Sequence, residues 1–85
     1  MQLCYRKKFY KSFAKLPLKQ QEKTLIVLKK FQSDPFARKL RRHKLQGKFK
    51  GKESLDVTGD LRIIIEPKTH EIVDVIDVGS HSRLY

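Results

Sequence analysis

The chain has 85 residues, with 20 Lys and Arg against 9 Asp and Glu and a formal net charge of +11. A chain this short buries only about 60–65% of its unfolded surface. That excludes two cores and a deep enclosed pocket, and leaves one domain over residues 1–85 whose active site, if it has one, is an open groove. The charge exceeds what solubility needs and sustains a potential that gathers polyanions, so nucleic acid, ribosome or an acidic protein are the partners to expect.

The charge is uneven. Residues 1–52 hold 17 Lys and Arg against 2 acids, and residues 53–85 hold 3 against 7. The electrostatic footprint therefore belongs to the first half. Cys4 stands alone, so no intrachain disulfide forms, zinc spacing is absent, and neither a metal nor another cofactor is expected. The apolar run Leu25–Leu28 is far too short to cross a bilayer, and no apolar signal segment follows the first basic residues. A cytoplasmic location without a membrane partner is the expectation.

Met1–Tyr5 reads as an edge strand. From Arg6 to Lys15 the apolar residues Phe9, Phe13 and Leu16 recur at helical spacing, which predicts a first helix. Pro17 suits the opening turn of a second, striped by Leu18, Leu25 and Leu28 down to about Ser33 and ended by Asp34-Pro35. Residues 37–52 read as a basic loop broken by Gly47 and Gly51. Three strand-like runs follow, Ser54–Thr58, Asp60–Glu66 and Glu71–Val78, with turns at Gly59 and at Pro67–His70. The expected fold is α+β, in the order β-α-α-β-β-β, with the helical hairpin packed on a small antiparallel sheet. Which face of the last strand points inward stays open, because Ile72, Ile76 and Val78 share a side with Asp74.

Cutting RNA without a metal requires a base for the 2′-hydroxyl, an acid for the leaving 5′-oxygen and cations for the charge growing on phosphate. The chain offers His43, His70, His81, several Asp and many Lys and Arg. Asp60 and Arg62 lie two apart, hence on one strand face. If the Pro67–His70 turn centres the hairpin, Asp60 lies across from about Asp77, and His81 emerges beside Asp60 and Arg62. Alternatively Asp60 caps the Gly59 turn and Arg62 pairs with Glu66 or Asp77. His43 lies among Arg41, Arg42 and Lys44, either as a phosphate contact or as an active-site base. Tyr85 either stacks on a base or covers the core, and His70 falls in a turn away from the others.

Three segments, HKLQG at residues 43–47, GDLRIII at 59–65 and VGSHSRLY at 78–85, resemble the superfamily of RelE, YafQ and ParE toxins, and the YafQ-like ribonuclease branch most closely. The resemblance spans the whole chain in order of elements. It implies a microbial RNase-like fold and the toxin of a type II toxin–antitoxin system, a ribosome-dependent mRNA endoribonuclease that blocks translation. By that resemblance His81 is the general acid, Asp60 or His43 the proton acceptor or orienting group, Arg62 the phosphate stabiliser and Tyr85 the closing aromatic. Arg41, Arg42, Lys44, Lys48, Lys50 and Lys52 would bind the RNA backbone. The implied partners are a small acidic antitoxin, the ribosome and messenger RNA, with operator DNA reached only through the antitoxin complex. Three positions depart from the branch's pattern: Leu61 replaces Trp, Asp56 a histidine and Asp77 an arginine. The departures leave open a ParE-like inhibitor of DNA gyrase without nuclease activity, and the charge alone is also explained by a non-enzymatic RNA- or ribosome-binding module.

Overall fold

Three consecutive isoleucines, Ile63, Ile64 and Ile65, are β-branched residues that suit a covered strand. In the computed structural model, which describes residues 1–85, all three are buried at the centre of a five-stranded sheet. Their strand, β4 (Leu61–Pro67), lies between β3 (Glu53–Asp56) and β5 (Ile72–Ser80), both antiparallel to it. Beyond β3 comes β2 (His43–Lys44), and beyond β5 comes β1 (Gln2–Tyr5), giving the order β1-β5-β4-β3-β2. Two helices, α1 (Lys7–Ala14) and α2 (Leu18–Ser33), cover one face, and a single turn, α3 (His81–Leu84), follows β5. The α+β class and the element order match expectation. The sheet is mixed rather than wholly antiparallel, because β1 runs parallel to β5, the crossover through α1 and α2 returning the chain to the opposite edge.

One face of the sheet, through Leu61, Ile63, Ile65, Val73, Val75 and Val78, forms a continuous core with Phe9, Leu28, Phe31, Leu40 and Leu55. Phe13 and Leu16 pack against it, as their spacing with Phe9 predicts. The stripe expected on α2 is corrected. Leu28 is 2% exposed, but Leu25 is 53% exposed and Leu18 71%. The buried face runs instead through Thr24, Leu28 and Phe31, with the Thr24 hydroxyl satisfied by the Gln20 carbonyl at 2.8 Å. A threonine hidden by its own backbone bond passes for a polar surface residue in a periodicity count, so periodicity alone misplaces the stripe by one residue, about 100° around the axis.

A β-bulge resolves the last strand. Ile64 pairs with Asp77 and Ile65 with Val75, so Ile76 is an extra residue on β5. The extra residue shifts the alternation by one, which lets Val73, Val75 and Val78 all face the core. It also corrects the expected register: Asp77 lies across from Ile64, not Asp60. The turn is centred on residues 68–71 rather than 67–70, with Lys68 and Thr69 N–H donating to the Ile72 carbonyl at 2.9 and 3.1 Å.

The basic loop is partly ordered as a hairpin. Gly47 and Gly51 take φ of 65° and 91°, left-handed values that favour glycine. The chain thereby reverses so that His43 pairs with Ser54 and Lys44 with Glu53. Replacing Leu28 with Ala is expected to cost about 2–5 kcal/mol, as for a deleted core leucine. Leu25→Ala, at a solvated position, is expected to cost within about 0.5 kcal/mol. Urea denaturation of the two variants checks this, and equal losses would mean that α2 is rotated about its axis.

Candidate active site

The bulged register sets where the chain goes after β5. Leu61 pairs with Ser80 and Arg62 with Gly79, so the next residue, His81, falls beside Asp60. The His81 N–H donates to the Asp60 carbonyl at 2.9 Å and reaches its Oδ1 at 3.3 Å. Ser80 then caps α3 by accepting the Arg83 N–H at 3.2 Å, which satisfies one of the free donors of a helix start.

Arg83 clasps this turn to the sheet. Its Nη2 donates to the Val78 carbonyl at 2.6 Å, to Asp77 Oδ1 at 3.2 Å and to Ser12 Oγ of α1 at 3.4 Å. A Cβ on Gly79 would overlap the guanidinium, so a larger residue there would displace Arg83 from this position. Asp77 is 3% exposed and its other oxygen lies 3.7 Å from Lys8 Nζ. Its charge is thus matched by two cations, and it takes no part in the recess that α3 walls.

Held this way, His81 and Tyr85 form one wall of that shallow recess, which has about 260 Å³ and whose other residues are His43, Leu45 and Arg62. Tyr85 packs edge-on against the His81 ring at 4.7 Å and against Phe49 at 5.5 Å. The His43 Nδ1 lies 2.9 Å from the Arg41 carbonyl. A carbonyl only accepts, so Nδ1 carries the proton and Nε2 of the neutral ring keeps its lone pair. Arg41 has φ of 49°, a left-handed conformation that costs a non-glycine residue about 1 kcal/mol or more. That conformation ends the short 3-10 turn Arg38–Leu40 and precedes the bond that fixes His43.

Arg62 is oriented on three sides. Its Nη1 donates to the carbonyls of Thr58 at 3.0 Å and Gly59 at 2.9 Å, and its Nε lies 3.0 Å from Asp56 Oδ1. That buried oxygen has no aligned hydrogen bond, so charge alone holds the pair. Asp56 also attracts Arg41 at 3.4 Å through Oδ2. Neither Glu66 nor Asp77 pairs with Arg62.

Four of the five catalytic candidates, His43, Arg62, His81 and Tyr85, therefore meet at one recess. Asp60 does not line it and reaches His81 only through the backbone. Leu61 is core, 4% exposed, and His70 lies at the far end of the sheet in the β4–β5 turn. Among the basic candidates, Arg41, Lys44, Lys48 and Lys50 are exposed and Lys52 is half-buried. Arg42 is half-buried and paired within the chain instead. Its Nε meets Glu53 Oε1 at 2.5 Å, and the guanidinium lies over the rings of Phe36 at 4.7 Å and Phe31 at 5.2 Å. Leu45, Phe49 and Arg83 do not stand out in the sequence. Their only signals are an apolar residue two after His43, an aromatic between lysines and an arginine two after His81.

The model of a family described as bacterial toxin of type II toxin–antitoxin system, YafQ, matches residues 1–85. Among solved structures, YafQ from E. coli strain BL21(DE3) is similar at a TM-score of 0.82 and 21% identity, over 99% of this chain and 97% of that one. YafQ in the E. coli DinJ–YafQ toxin–antitoxin complex gives 0.79 and 22%, over 99% and 96%. The YoeB/ParE toxin from Agrobacterium tumefaciens gives 0.77 and 19%, over 95% and 99%. No curated protein matches the chain in sequence. The structural likenesses carry the fold and the full-length match carries the family, so this chain belongs to the YafQ family, bacterial toxins of type II toxin–antitoxin systems.

Proposed function

We propose that the protein is a metal-independent endoribonuclease that cuts messenger RNA on the ribosome and so blocks translation in the cytoplasm. The observation that carries this reading is the meeting of two imidazoles, one guanidinium and one exposed tyrosine at a single open recess. Nε2 of His43 takes the proton of the 2′-hydroxyl. The 2′-oxygen attacks phosphorus, and His81 delivers a proton to the departing 5′-oxygen, leaving a 2′,3′-cyclic phosphate and a free 5′-hydroxyl. Imidazole suits both roles because its neutral ring can accept a proton and its protonated ring can donate one. Arg62, already aimed by the Thr58 and Gly59 carbonyls, meets the charge growing on the phosphate oxygens. Tyr85 stacks on an unpaired base. Asp60 acts by placing His81 rather than by moving a proton.

The partner that restrains this activity is a small acidic antitoxin, as DinJ accompanies YafQ in the E. coli complex. The +11 charge favours its rapid capture. It covers the basic surface or displaces α3, and operator DNA is met only through that complex.

Replacing His81 with Ala is expected to slow cleavage by about 10²–10⁴ while the fold survives, because the ring is exposed. His70→Ala, at the far end of the sheet, is expected to cut normally. Primer extension on a translated messenger reads both, with gyrase supercoiling followed in parallel. Full activity in His81→Ala would remove the proposed acid, and inhibition of supercoiling without any cleavage would establish the ParE-like alternative.

Binding to ribosome or RNA is expected to weaken steeply with salt. Each removal of Lys44, Lys48, Lys50 or Lys52 is expected to flatten the log–log slope by about 0.7–0.9. Arg42→Ala is expected to leave the slope nearly unchanged and to lower stability by about 1–3 kcal/mol, between an exposed and a fully buried ion pair. A salt titration combined with urea denaturation separates the two effects. An Arg42→Ala slope that drops with unchanged stability would move Arg42 back to the RNA surface.

A further inference from the structure

Phe36 is the most exposed large apolar side chain of the protein, at 80%, yet it is not loose. The Arg42 guanidinium lies over its ring at 4.7 Å and over the buried ring of Phe31 at 5.2 Å. Glu53 and the Pro35 carbonyl accept hydrogen bonds from the same guanidinium. The exposed ring is thus tied through one cation to the core, while most of its surface stays open to solvent. Single apolar side chains are common on protein surfaces, so exposure alone says nothing, and the surroundings of this ring decide its meaning.

Phe36 borders an open depression of about 360 Å³ whose other side chains include Arg38, Arg41, His43 and Lys44. Arg38 and Lys44 are exposed, the Arg41 side chain is 78% exposed, and the one acid there, Glu53, is paired with Arg42. His43 also lines the recess of the candidate active site, so the two depressions share that ring. Asp56 links them a second time, holding Arg62 of the recess at 3.0 Å through one oxygen and Arg41 at 3.4 Å through the other. Guanidiniums on one carboxylate are close enough for neighbouring phosphates of one strand. Apart from Phe36 the only apolar lining is Ala37, which leaves no hole for an aliphatic anchor of a protein partner. A nucleobase needs only the open face of a ring to stack on and cations for its phosphates. We propose that Phe36 is a stacking platform for an unpaired RNA base next to the cut, with Arg38, Arg41 and Lys44 on the flanking phosphates. The position relative to the cut rests on the ribonuclease reading, whereas stacking stands on this depression alone.

Two measurements keep those separable. The chain contains no tryptophan, so Phe36→Trp puts a single indole at the platform and preserves a stacking face. A short single-stranded 2′-O-methyl RNA, which has no free 2′-hydroxyl and is not cut, is expected to quench that indole. An abasic strand with the same phosphates is expected to bind more weakly and not to quench. Followed by anisotropy of labelled strands, Phe36→Leu is expected to weaken binding of the base-bearing strand about five- to hundredfold, the range for one base stacked on an aromatic ring. The same variant is expected to hold the abasic strand as before, Phe36→Trp to keep full affinity for both, and Arg38→Ala to weaken both alike. Undiminished affinity of Phe36→Leu for the base-bearing strand would overturn the platform, as would an equal loss on both strands. Quenching by an acidic amphipathic peptide and by no RNA would overturn it too, and would mark a protein-docking surface. Unchanged binding in Arg38→Ala would remove the phosphate contacts. In the second measurement, 5′ ends are mapped across a translated messenger pool. Cutting by Phe36→Leu is expected to fall about tenfold, most where a purine occupies one position within two nucleotides of the cut, because stacking strength sets such preferences. Phe36→Trp is expected to restore it. A loss equal at every site would put the stacked base in ribosomal RNA and overturn the placement. Absence of all cutting by the unaltered protein overturns the placement and the ribonuclease reading together, and leaves the platform to stand or fall on the strand titration.

Discussion

One residue too many on β5 sets the geometry of the whole molecule. With Ile76 left over between the partners of Ile64 and Ile65, the valines before and after it reach the same core, and every pair beyond the bulge is offset by one. Arg62 then stands opposite Gly79 and Leu61 opposite Ser80, which delivers His81 to Asp60. An unbulged strand would bring Ser80 there instead and send Val78 to the wrong face. Hydrophobic burial along β5 thus fixes the register, and the register fixes the site. This explains why a bulge at Ile76 can lie five residues before His81 and still be necessary to the candidate catalytic turn.

Charge is used in two different ways on this small surface. Asp74 and Asp77 are buried in β5 with cations beside them, Arg6 at 3.8 Å for the first and Arg83 and Lys8 for the second. Arg42 and Glu53, half-buried, tie the β2 segment to β3. Breaking such pairs leaves an uncompensated charge in a poor solvent for it, so they specify placement more than they add stability. The lysines at 44, 48 and 50 have no such duty. They remain in water, where their potential extends over about a Debye length, roughly 8–10 Å, and where a polyanion can displace their counterions.

The recess combines rigid and yielding parts. His43 and Arg62 come from strands and are oriented by backbone carbonyls. His81 and Tyr85 sit on one turn of helix whose attachment is the Arg83 clasp and the Asp60 contact. A four-residue helix is not stable alone, so its order depends on those contacts, and a partner that competes for them would dismantle half of the recess without unfolding the core.

Much of this was written in the sequence. Composition marked a strongly basic chain, the spacing of Phe9, Phe13 and Leu16 marked the inner face of α1, and the isoleucine run marked a strand, because burial leaves a trace in residue type. HKLQG, GDLRIII and VGSHSRLY marked the residues that meet at the recess. Tertiary structure alone decided the rest. Thr24 replaced Leu25 on the buried face because a hydroxyl satisfied by its own helix is as easily buried as a methyl. Arg42 is half-buried rather than free in solvent because Glu53, Phe31 and Phe36, distant in sequence, meet its guanidinium. Asp60 became a support for His81, and Asp77 an anchor for Arg83, because a one-residue bulge changes every cross-strand partner beyond it, and nothing local in the chain records which residue will be left unpaired.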